Sequence, residues 1–255
     1  AQTVSVRAPV VPRDIVYGRV RKGGVMIFAH RTRNDGADYL HLIYALAAHQ
    51  INGIERVYFD GREAINVETG QKAERYRDSL QWDVRLGGVN QTAFTNPFLP
   101  PDLWTAAHRC RGIPRLDLRL RGEADDYPNG IPNVTVLLRG KTDIFDPRDG
   151  QRTFTHNAAL CLADYMATSL KLGYGFEGGI DIGSLIAAAN VCDEIVPVVT
   201  GGFERRYDLN GVLSTAATPK ENIEALLTAM GGQAVYAGGF WSSLPAAYRV
   251  PTVAV

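Results

Sequence analysis

The sequence predicts an α+β protein rich in β-structure, and three of its features carry that prediction. Glycine and proline, 26 and 13 of 255 residues, are too frequent for a helical bundle and punctuate strands instead. Short apolar/polar alternations recur between turn signals, as in LDLRLR at Leu116 to Arg121. Helical spacing with caps is concentrated after Thr155, where two helical patterns flank a glycine-rich break.

Taken in order, DIVYGRVRKGGVMIFAH from Asp14 to His30 reads as two short strands joined by a tight turn at Gly23-Gly24. Asn34-Asp35-Gly36 is the next turn. LHLIYALAAH, from Leu40 to His49, suits a helix by length and alanine content and a strand by its opening alternation. Asn52-Gly53 and Asp60-Gly61 bracket the strand-like IERVYF, which tips this region toward paired strands. Val67 to Asn96 is polar without a sustained period and predicts an excursion from the sheet. Pro97, Pro100 and Pro101 stiffen a loop before DLWTAAHRC, which suits one or two helical turns. LDLRLR predicts a half-buried strand with one solvated face. DYPNG (126–130) and DIFDPRDG (143–150) are strong turns around the strand VTVLLRGK. A domain boundary is expected near the first of them: 1–124 as a β domain with a polar insertion at about 67–110, and 125–255 as a second domain.

The second domain is expected to hold three helices and a hairpin. Asn157 caps a helix from Ala158 to Leu172, with Leu160, Ala163, Met166 and Leu170 on one face. Asp181 caps the next, with Leu185, Ile186, Ala189 and Cys192 on one face. Thr218-Pro219-Lys220-Glu221 gives a cap, a proline in the first turn and a capping-box glutamate, and Gly231 ends that helix. QAVYAGGFWSSL reads as a hairpin about Gly238-Gly239.

Charge is balanced, 27 basic against 27 acidic residues. That argues against a general nucleic-acid or anionic-membrane surface, which needs a basic excess. Apolar runs of about ten residues are too short to span a bilayer, and the opening segment lacks a signal-peptide pattern. Cys110, Cys161 and Cys192 form no CxxC pair and read as reduced thiols of a protein made in a cytoplasm.

Each candidate for chemistry has a plainer competitor. Gly173, Gly175 and Gly178 match G-x-G-x-x-G, but a helix precedes them where the phosphate-binding turn needs a strand. His30, His41 and His49 lack an i, i+4 pair, and His108 and His156 are isolated. Asp143, Asp146 and Asp149 recur every third residue, not every second as in a calcium loop. Ser184 lacks the G-x-S-x-G elbow, and Cys161 reads as a small buried hydrophobe. Glu123, Asp125 and Asp126 could act as glycosidase carboxylates, with a solvated turn as the default. Trp82, Trp104 and Trp241, with eleven tyrosines, could line a carbohydrate-binding surface, with core packing as the default. Arg205-Arg206 could grip a phosphate or carboxylate or make a subunit contact. The sequons at Asn90 and Asn133 mean nothing without a secretory route. No catalytic, cofactor or metal residue is assigned.

A set of segments in fixed order resembles one family. These are GRVRKGGVMIFAH, INGIERVYFDG, YPNGIPNVTVLLRGK, N-x-A-x-C-L-x-D-Y from Asn157, AAANVCDEIVP, GG-x-E-R-R-Y at Gly201 to Tyr207, LNGV and PKENIEALLTAMGG. Together they resemble the hub portion of siphophage tail tip attachment (host-specificity, lambda J-like) proteins and their prophage and gene-transfer-agent relatives. The resemblance implies small β-barrel hub domains with inserted helices and no catalytic residues. It implies a homotrimeric hub at the virion tail tip that caps the tail tube and opens for DNA, which it meets only in transit. Its implied partners are the distal tail protein, the tape measure protein and other tail tip proteins. Members are longer, so the chain would be an N-terminal portion, with the host receptor met through other parts. A carbohydrate-binding module or a glycan-cleaving tail enzyme is the alternative.

Overall fold

The computed structural model describes residues 11–93, 103–122, 126–128, 130–171 and 178–247. The chain forms two compact units, Ala1–Lys141 and Thr142–Val255. Among the described residues the first holds ten strands: β1 (Asp14–Tyr17), β2 (Arg19–Gly23), β3 (Val25–Asn34), β4 (Ala37–Ala45), β5 (Ile51–Phe59), β6 (Arg62–Asn66), β7 (Gln71–Lys72), β8 (Leu80–Arg85), β9 (Arg115–Arg121) and β10 (Val134–Lys141). Nine of them, β2 to β10, build a five-stranded sheet, β2-β10-β5-β6-β7, and a four-stranded sheet, β3-β4-β9-β8. All their pairings are antiparallel.

One apolar core joins the two sheets. Leu42, Tyr44, Leu116, Leu118 and Leu120 come from the four-stranded sheet, and Ile54, Val57, Phe59, Val136 and Leu138 from the five-stranded one. The period-2 alternation that made these strands legible puts each set on one face. The barrels implied by the resemblance take the form of two open sheets over a shared core. The β3–β4 hairpin turns on Asp35 and Gly36, both with positive φ (48° and 78°), as a two-residue turn matched to strand twist requires.

Several local expectations change in the fold. Gly23-Gly24 does not close a hairpin: β2 pairs with β10 and β3 with β4, so the dipeptide carries the chain from one sheet to the other. A Cβ on Gly24 would lie 3.0 Å from Ala45 O, Leu46 Cδ2 and Tyr44 Cβ. Asn52-Gly53 lies inside β5, where a Cβ on Gly53 would meet the Arg139 guanidinium at 2.8 Å. The polar stretch after Val67 supplies β8, an edge strand of the four-stranded sheet. Within DLWTAAHRC, the residues from Leu103 form turns and no helix. The contact boundary follows Lys141, because β10 pairs with β2 and β5.

The second unit contains β11 (Ile144–Phe145), β12 (Arg152–Thr153), α1 (Ala158–Lys171), β13 (Gly179–Ile180), α2 (Ile182–Asp193), β14 (Ile195–Pro197), β15 (Phe203–Arg205), β16 (Gly211–Ser214), α3 (Pro219–Thr228), β17 (Gln233–Ala237) and β18 (Phe240–Leu244). α1 packs against α2 and α3. Asn157 is fully buried: its Oδ1 accepts the Leu160 N–H at 3.2 Å, and its Nδ2 donates to the Ala189 carbonyl on α2 at 2.9 Å. Asp181 Oδ1 accepts the Ser184 N–H, and Thr218 with Glu221 forms a complete capping box. β17 and β18 form the expected hairpin about Gly238-Gly239, and β13 adds to β18 in parallel.

Candidate functional site

The strongest chemistry in the first unit lies on the face of the four-stranded sheet turned away from the apolar core. Register stacks it in rows: Arg85 opposite Arg115, Asp83 opposite Asp117, and Gln81 opposite Arg119. The last row continues across β4 and β3 as His41 and His30. LDLRLR promised a solvated polar face, yet Arg115, Asp117, Arg119 and His41 are all buried. The alternation was legible; its burial was not, since a covered polar row and a wet one read alike in sequence.

Part of that cover is the loop before β9. Arg115 Nη1 donates to the His108 carbonyl at 2.9 Å, and the guanidinium lies 5.5 Å from the Trp104 ring centre. Trp104 stacks on His108 (4.8 Å between centres) and meets Phe28 edge-on at 5.3 Å. Gln91 holds the loop from below, its Nε2 donating to the Arg109, Cys110 and Ile113 carbonyls and its Oε1 accepting the Gly87 N–H. Arg119 spans its row, donating to Gln81 Oε1 at 3.1 Å and covering the Tyr39 ring at 3.8 Å.

Within this row system the charges are incompletely compensated. Arg115 Nε approaches Asp117 Oδ2 at 3.3 Å, outside hydrogen-bond geometry, and both Asp117 oxygens lack a hydrogen-bond donor. Burial therefore prevails over Arg115 and raises the Asp117 carboxyl to about 7, with Asp83 pushing the same way. His41 shares a 2.8 Å hydrogen bond with Thr32 Oγ1 through Nε2. Burial first, then Arg119 and His30, lower its imidazole to about 4, so it stays neutral. Such a row fixes register and resists solvent, but it presents no nucleophile beside a base.

The other residues singled out in sequence are dispersed. His49 accepts the Val16 N–H at Nε2 and donates from Nδ1 to the Gln50 carbonyl, a strand-end tie. His156 pairs with Asn210, and Ser184 Oγ donates to the Ser243 carbonyl. Cys161 and Cys192 are buried, with the Cys192 thiol pushed up by burial to about 11, which leaves it unreactive. Asp146 binds the Arg148 guanidinium, which holds its carboxyl below the usual range. Arg205 and Arg206 bind Asp193 (3.5 Å) and Glu194 (2.8 Å) in their own unit. Trp82 packs on the first unit's core and Trp241 against Tyr236. A helix precedes Gly178, and its Cβ would fall 2.4 Å from Gly239 O, so close approach to the hairpin explains that glycine. Glu123, Asp125, Gly173 and Gly175 lie outside the described residues. Among the described residues, no group of three His, Cys, Asp or Glu could hold a metal ion, and no helix is long and apolar enough to cross a membrane.

Two surface features went unseen in sequence. In the second unit, the β14–β15 ribbon exposes Ile195, Val199 and Phe203, the last at 76%. In the first, a cleft of about 640 Å³ is lined by Val25, Ile27, Ala45 and Ile113, with Arg111 also on its wall. Lys22 lies beside it, its Nζ donating to the Leu46 carbonyl and pairing with Asp14 at 2.8 Å.

No family model and no curated protein matches the chain. It does share the fold of a solved chain described as the virion of a native gene transfer agent particle, at TM-score 0.57 and 19% identity. The match covers 91% of this chain and 51% of that one, so this chain spans about half the neighbour's length. The class thus defined is an α+β, β-rich chain of two compact units with the fold of that particle's chain.

Proposed function

We propose that this chain is a structural component of a phage or phage-like particle, forming the trimeric hub that caps the tail tube at the tail tip. The observation that carries the reading is the fold likeness to a gene transfer agent virion chain over 91% of the sequence. The ordered segments from Gly18 to Gly232 support the same reading. In this role the hub contacts the distal tail protein, the tape measure protein and other tail tip proteins, and DNA passes through it only during delivery.

The physical features suit architecture. Balanced charge gives a passing polyanion little to hold. Buried polar rows and capped helices favour a fixed shape over a reactive one. Exposed apolar side chains on a short ribbon suit contact with another protein surface. Single-particle imaging of tails carrying a tagged chain tests the proposal. Threefold density at the far end of the tube is the expected result; a different location or symmetry overturns it.

A further inference from the structure

We propose that the loop 103–114 is a strap whose opening is tied to ionisation of Asp117 in the row it covers, so that it loosens as pH rises. The device lies within the first unit and is independent of the hub reading.

The loop is fastened at two places. At its root, Gln91 Nε2 donates to the carbonyls of Arg109, Cys110 and Ile113. Further out, Arg115 Nη1 donates to the His108 carbonyl at 2.9 Å, and the Trp104 ring lies 5.5 Å from the same guanidinium. Cys110, at the junction of the two parts, has a φ of 48°. A cysteine there is strained, which marks the junction as the place able to turn.

Beneath the outer part lies the carboxyl. Trp104 meets Phe28, which shares a row with Ile43, Asp117 and Asp83. Arg115 is the next residue on the same face as Asp117, so the indole rests on both the row of Asp117 and the row beside it. Asp117 is 3% exposed, and neither oxygen has a hydrogen-bond donor among the described residues. Arg115 on its own strand and Asp83 and Arg85 on β8 face it. Arg119, His41 and His30 stand one row away, and the loop adds His108.

Burial outweighs Arg115 and keeps the carboxyl protonated up to about pH 7. Water admitted by an opened loop returns it to the ordinary carboxylate range, about 4. Opening therefore releases a proton between about pH 4 and 7, and a rise in pH favours the state that holds fewer protons. The strap is tightest below that window and loosest above it.

Indole N–H exchange of Trp104 tests this on the 255-residue chain, because that nitrogen is buried and exchanges once the loop opens. In protein labelled with nitrogen-15 tryptophan, the signal missing from Trp104→Phe identifies it. Divided by the rate of free indole at the same pH, its exchange should rise at least about tenfold across the window, with a ceiling of about tenfold per pH unit. Asp117→Asn should abolish the rise. Asp83→Asn should bring the plateau to lower pH, since Asp83 pushes the carboxyl up. His108→Gln should leave the rise in place. A normalised rate flat with pH, a rise that survives Asp117→Asn, or one lost in His108→Gln overturns the proposal. So does an equal rise at the amides of β5 and β10, which would mark global unfolding. If Asp117→Asn fails to fold, Asp83→Asn decides, and an unmoved plateau overturns the proposal.

Discussion

At Asp117 and His41 burial acts on two side chains of opposite charge type, and the signs differ. The Asp117 carboxyl is raised to about 7, so between about pH 4 and 7 the folded chain holds a proton that the unfolded chain has lost. Its contribution to stability is full below pH 4 and lost as pH rises through 7. His41 is lowered to about 4, so between about pH 6.5 and 4 the unfolded chain takes up a proton that the fold refuses. Its contribution is full above pH 6.5 and lost as pH falls through 4. Each slope is at most about 1.4 kcal/mol per pH unit. Denaturant melts of Asp117→Asn should therefore gain on the parent as pH rises from 4 to 7, whatever the fixed offset. His41→Gln should gain on the parent as pH falls from 6.5 to 4. Differences that do not vary with pH would show that neither group is held in its unusual state.

Among elements, the caps separate local from tertiary stabilisation. Thr218 and Glu221 close their box at the surface, so Thr218→Ala should cost about 1 kcal/mol. Asn157 caps α1 and also donates to the Ala189 carbonyl on α2, fully buried. Its loss to alanine removes the cap and a buried hydrogen bond that ties α1 to α2, roughly 1.5–3 kcal/mol together. Asn157→Asp keeps the cap oxygen but loses the donor, so urea melts should show it far from rescued. The same contrast explains what was legible. Asn157, Asp181 and Thr218 announced their helices because a cap is satisfied within its own turn. Asp35-Gly36 and Gly238-Gly239 announced hairpins for the same reason. Gly23-Gly24 and Asn52-Gly53 misled, because their glycines answer neighbours distant in sequence. The buried row of Arg115, Asp117 and Arg119 was hidden likewise, since its cover includes Trp104 and His108, outside the strand that carries it.

At the scale of the whole molecule, each unit has its own interior. The first surrounds Leu42, Leu116, Val136 and Leu138; the second surrounds Leu160, Ala188, Ala189 and Cys192. A chain with separate cores departs from a single all-or-none transition. Leu116→Ala in the first core should cost roughly 2–5 kcal/mol, and Leu160→Ala in the second a similar amount. Calorimetry should show each substitution lowering a different part of the unfolding profile. If both shift one sharp transition equally, the units unfold as one body, and the division after Lys141 is geometric without being energetic. If the chain serves as the hub proposed above, the outcome bears on its opening, because a part that opens while its collar stays closed needs a unit able to yield without its neighbour. Independent transitions would supply that freedom within the chain; a single one would shift the opening to the contacts between copies.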